Sequence, residues 1–128
     1  MVYIKTIKDF NKITENDIEL IFDDNFIQEV IIPNSVKILT IGTKFNQKII
    51  IPDSVQTLTI GTKFNQKIII PNSVQTLIFG LPFNQKIIIP DFIQTLIFGY
   101  KFNQKVIIPT FLLHKKLNKV EVGICPLV

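Results

Sequence analysis

The sequence has no alanine, no arginine and no tryptophan, and a single cysteine, a single histidine and a single methionine in 128 residues. One cysteine, Cys125, cannot close an intrachain disulfide, so no disulfide framework holds this chain. The missing arginine removes the side chain best suited to bidentate contacts with phosphates and guanines. Fourteen lysines against ten acidic residues leave a net charge of +4, a mild balance beside the dense basic cluster of a nucleic-acid binder. Apolar runs are only a few residues long, far short of the roughly 20 that span a membrane. The opening MVYIKTIKDF has no apolar segment of the kind that directs secretion. Ten asparagines create no Asn-x-Ser/Thr acceptor site. Catalysis is also poorly supplied. Nucleophilic or metal chemistry needs a base beside a nucleophile, or several ligands together, whereas His114 and Cys125 stand in the C-terminal segment without partners in the sequence. The expectation is a protein that is not an enzyme and carries no cofactor or metal.

What the chain has in abundance is isoleucine, lysine, asparagine and phenylalanine, a set that AT-rich codons favour, and these residues recur in phase. Phe26, Phe45, Phe64, Phe83 and Phe102 are spaced by nineteen residues, as are Pro33, Pro52, Pro71, Pro90 and Pro109. Gly42, Gly61, Gly80 and Gly99 keep the same step, and so do Leu39, Leu58, Leu77 and Leu96. Nineteen residues are too few for a helical-hairpin repeat and enough for one turn of a flat coil. KIII and VQTLTI are rich in β-branched residues and bounded by turn formers. Each unit therefore predicts two short strands, stacked in parallel on those of the next coil. The fold class expected is all-β: a β-solenoid, or leucine-rich-repeat-like coil, of 19-residue repeats with two short parallel strands per coil. Glycine is expected at corners with positive φ, and proline at strand ends that need no ladder N–H.

Strand alternation assigns the faces. Lysine cannot enter a dry core cheaply, so Lys48 and Ile50 point out while Ile49 and Ile51 point in. The inward set is Phe45, Ile49, Ile51, Val55, Leu58 and Ile60 with their repeats. Two columns then run along the outside: Lys48, Lys67, Lys86 and Lys105, with Glu29 ahead of them, and Ile31, Ile50, Ile69, Ile88 and Ile107. Asn46, Asn65, Asn84 and Asn103 read as an amide ladder that satisfies turn backbone.

The unit FNQKIIIPxSVxxLxxG resembles the FNIP repeat, a leucine-rich-repeat-like unit of social amoebae and of giant viruses of amoebae. The resemblance implies a protein-interaction repeat. Many such proteins also carry an F-box, and residues 1–24 are too few for one, so no ubiquitin-ligase adaptor role is carried over. Domain organisation is read as one repeat domain over 1–128: an N-terminal cap with a degenerate coil over 1–24, repeats over 25–109 and a C-terminal cap over 110–128. In the first cap Leu20 and Phe22 take inward positions and Asp23 replaces the corner glycine. In the second, NKVEVG repeats the strand after a five-residue insertion, with Val120 and Val122 inward and Glu121 outward.

The expected function is a non-enzymatic protein-interaction module. Its candidate partner-binding residues are the isoleucine and lysine columns above, together with Ile78 and Ile97, which replace Thr40 and Thr59 on the second strand, and Tyr100 at a corner. The partner is a protein or a second copy. A structural component of a larger assembly, such as a giant-virus virion, is the alternative, and a polyanion or nucleic acid on the lysine ladder is third. Membrane association would rest only on the terminal CPLV box at Cys125, whose last residue is not typical for prenylation. The location expected is intracellular or within a virion, not secreted.

Overall fold

The computed structural model describes residues 1–4, 6–80 and 85–99, and the backbone strands at 106–107 and 119–122. The chain winds as a parallel β-solenoid with almost no helix among the described residues. Its elements in order are β1 (Val2–Ile4), α1 (Ile7–Phe10), β2 (Glu19–Phe22), β3 (Ile38–Thr40), β4 (Thr57–Ile60), β5 (Thr76–Phe79), β6 (Ile87–Ile88), β7 (Thr95–Phe98), β8 (Val106–Ile107) and β9 (Lys119–Val122). Seven strands form one sheet in the order β1-β2-β3-β4-β5-β7-β9, every neighbour parallel. Leu20, Leu39, Leu58, Leu77 and Leu96 stand in register across it. The last rung pairs Leu96 with Val120 and Ile97 with Glu121, which absorbs the five-residue insertion without loss of phase.

Local chemistry explains why the chain turns where it does. Each Pro-x-Ser-Val unit closes a β-turn, with the Val55 N–H donating to the Pro52 carbonyl at 3.1 Å and Val74 to Pro71 at 3.1 Å. Each Gly-Thr-Lys-Phe unit closes another, with Phe45 donating to the Gly42 carbonyl at 3.3 Å. Strand alternation then sends Leu58 and Ile60 inward, fully buried, and leaves Thr57 and Thr59 half-buried on the outer face. Glycine is required at the corner by close approach of backbones. A methyl group at Gly61 would overlap the carbonyl oxygen of Gly42 one coil below, and no positive φ is involved.

The core is a continuous apolar column with no buried polar or charged residue among those described. Phe26, Phe45 and Phe64 stack along it with ring planes within 3° of parallel and centroids 6.2 and 6.3 Å apart. The arms differ from the sequence expectation. The second extended segment of every coil, the KIII arm, pairs as strands only at Ile87–Ile88 with Val106–Ile107 among the described residues. Elsewhere the arms run parallel without a ladder.

The N-terminal segment holds a rung that the repeat pattern does not announce. Val2–Ile4 adds to the sheet beside β2, with Ile4 opposite Phe22 and fully buried. Asp23, at the position of the corner glycines, accepts from the Tyr3 hydroxyl at 2.8 Å and from the Asn25 N–H at 2.9 Å, while its own N–H donates to the Ile4 carbonyl at 2.7 Å. A polar corner there ties β1 to the coil that begins at β2.

Candidate functional site

The arms carry the candidate site, and their geometry follows from two-residue alternation. Ile49 and Ile51 are 8% and 6% exposed, whereas Ile50 between them is 87% exposed. Ile31 and Ile69 are each 88% exposed and Ile88 is 69% exposed, so four isoleucines form a ridge on the outside of successive coils. Lys48, Lys67 and Lys86 are exposed in the neighbouring column, with Glu29 exposed ahead of them. Among the described residues none of these three lysines forms an ion pair with an acid. The ridge and the lysine column open onto a shallow groove. Phe10 and Asn11 stand at its N-terminal end, and Asp53 lines it on the flank opposite Lys48.

A shelf of amides borders the lysines. The Asn46 side-chain oxygen accepts the Asn65 N–H at 2.9 Å and the Gln66 amide at 3.3 Å, and the Asn65 oxygen accepts the Gln85 amide at 3.2 Å. The ladder is therefore staggered, asparagine to the glutamine one coil on, and satisfies backbone as well as side chain. A polar contact between coils lies past the corner, where the Asp24 carboxylate accepts from the Thr43 hydroxyl at 2.6 Å and from the Thr43 N–H at 3.1 Å. These two bonds, the hydroxyl first, hold the Asp24 carboxyl below the ordinary aspartate pKa.

The candidate residues divide between two faces. Ile78 and Ile97 are register partners on the outer surface of the large sheet, half-buried and outside the groove. Tyr100, Lys105 and the Ile107 side chain lie outside the described residues, as do the insertion with His114 and the terminal Cys125. The sequence reading passed over three features of this surface. The Asn34, Asp53, Asn72 and Asp91 column is exposed along the far flank of the ridge. Phe92, standing where the repeat has serine, is 56% exposed. Phe10 borders the groove from a segment with no repeat motif at all. The first two were visible as in-phase columns. The third depends on where α1 lies beside the first arm.

Among the described residues no group of three or more histidine, cysteine or acidic side chains is placed to hold a metal ion. Nor is any described helix long and apolar enough to cross a membrane. The chain matches no curated protein and no solved structure. The family model named FNIP Repeat matches residues 27–63, 45–81 and 83–112. Those three spans, the first two overlapping, take in the coils that carry the ridge and more than half of the chain, and the protein belongs to the FNIP repeat family.

Proposed function

We propose that the protein is a non-catalytic interaction module that docks another protein on the isoleucine and lysine face of its arms. The observation that carries the reading is the ridge itself. Four isoleucines exposed to between 69% and 88% stand side by side, while the isoleucines of the core beneath them are buried. Contiguous apolar surface of that kind marks association sites on soluble proteins. Lysine stems broaden the apolar strip while their charges set which partners approach. A polyanion reading is disfavoured by the residues beside the lysines. They are isoleucine, where single-strand binders place stacking aromatics, and the column begins with Glu29. A role in a larger assembly uses the same face and differs only in the identity of the partner.

The test is site-specific photo-crosslinking from position 69, with position 59 on the outer sheet face as control. Protein adducts from 69 and none from 59 support the docking face. Equal adducts from both positions contradict it, and so does salt-sensitive retention on heparin that Ile69→Glu leaves unchanged while Lys67→Glu abolishes it.

A further inference from the structure

Three of the four described arms place a lysine on one flank of the exposed isoleucine and, beyond the proline, an acid or an amide on the other; the first arm has Glu29, Ile31 and Asn34 in these places. The triplets are Lys48, Ile50, Asp53; Lys67, Ile69, Asn72; and Lys86, Ile88, Asp91, all exposed. Lys48, Ile50 and Asp53 line the same groove. We propose that this face pairs with the same face of a second copy, the two solenoids running parallel and related by a two-fold axis along their length. The proposal rests on the docking reading above and names its partner.

Symmetry and charge select this arrangement. Two identical faces in contact share a two-fold axis that lies in the plane between them. An axis along the solenoid keeps the coil order and exchanges the flanks. The lysine column of one copy then lies over the Asp/Asn column of the other, coil for coil: Lys48 opposite Asp53, Lys67 opposite Asn72, Lys86 opposite Asp91. The isoleucine ridges meet along the seam. An axis across the solenoid reverses coil order and keeps the flanks, which sets lysine against lysine, 48 against 67, with Glu29 the one acid in the row. Like charges so placed oppose association.

Spacing favours a second copy over an unrelated protein. The coils repeat in register, nineteen residues to a step, from Ile38 to Ile97. A partner matching the ridge at every coil needs that same step, and another copy of this chain has it. Two ridges with both polar flanks approach the roughly 1,000 Å2 of total burial that a specific interface needs. Ile50 and Ile69 are the two middle members of the described ridge.

The test uses Lys48→Asp and Asp53→Lys in the full chain. Both positions are exposed, and their columns already hold Glu29 and Asn72, so the folded state tolerates the changes; circular dichroism verifies this. The first variant carries acids on both flanks and the second carries lysines on both. Each alone is expected to dissociate at least about tenfold more readily than the wild type, and an equimolar mixture is expected to recover the mass of two chains. Tighter association of Lys48→Asp alone overturns the parallel arrangement in favour of the antiparallel one. A mixture that stays monomeric while the wild type dimerises also overturns it. A wild type that is monomeric at every concentration overturns self-pairing; crosslinking from position 69 to a different protein then preserves the docking face, and no crosslink at all removes both.

Discussion

The side-chain oxygen of Asn46 accepts the backbone N–H of Asn65, its equivalent one coil later, at 2.9 Å. One residue type at one position thus serves both as acceptor for the coil above and as donor to the coil below, which a repeat of identical units requires at a turn that has no strand ladder. Asn46→Ala leaves that N–H and the Gln66 amide to water, and the expected cost is about 1 kcal/mol, read from urea unfolding. No measurable change would mean that water replaces the bond at no cost.

Ser54 and Ser73 hold the same place in successive coils and differ in satisfaction. The Ser54 hydroxyl donates to the Val36 carbonyl at 2.7 Å, whereas the Ser73 hydroxyl is buried with no partner among the described residues. Ser54→Ala is expected to destabilise by about 1 kcal/mol, and Ser73→Ala to be neutral or stabilising. Equal losses at both sites would mean that Ser73 bonds in solution.

Gly61→Ala places a methyl group on the Gly42 carbonyl, and the obstacle is backbone rather than a movable side chain. Forcing the coils apart at that corner is expected to cost about 1–3 kcal/mol. Phe45→Ala, which removes the middle ring of the buried stack, is expected to cost about 3–5 kcal/mol. Thermal melts of the two variants order them: a Gly61→Ala protein as stable as the wild type would contradict the close approach.

Acid dependence follows from Asp24. Its carboxyl sits below the ordinary aspartate value because of the Thr43 hydroxyl and N–H, so the unfolded chain takes up its proton first as pH falls. The stabilisation is complete above the unfolded pKa of about 4 and is lost as pH drops through the lower folded value. Asp24→Asn is expected to flatten the acid side of the melting-temperature profile between about pH 5 and pH 2. An unchanged acid slope would assign it to other carboxylates, Asp17 among them, whose pKa is lowered by the Thr14 N–H and hydroxyl.

Much of this architecture is legible in the sequence because a nineteen-residue period admits few solutions. Alternation around Lys48 correctly separates Ile49 and Ile51 from Ile50, since lysine cannot be buried cheaply, and the same logic places Leu58, Ile60 and the phenylalanine spine inside. Other features depend on geometry that letters do not carry. The arms at 48–51, 67–70 and 86–89 share the letters KIII, yet among the described residues only Ile87–Ile88 pairs as a strand, with Val106–Ile107. The need for Gly61 comes from a neighbouring carbonyl rather than its own φ. Val2–Ile4 lacks every repeat landmark and joins the sheet only because Ile4 and Phe22 share the core. Asp53 reads as a turn former, and its place opposite Lys48 across the ridge emerges once the groove exists.

The most direct test of the docking ridge is the solution mass of Ile69→Glu beside the wild type, across concentrations at physiological salt. The account predicts that the wild type rises from the 14.7 kDa of one chain toward twice that mass. Ile69→Glu is predicted to stay at the single-chain mass with an unchanged β signal in circular dichroism. A folded Ile69→Glu protein that associates as the wild type does would contradict the ridge as the contact, and an unfolded one would place Ile69 in the core.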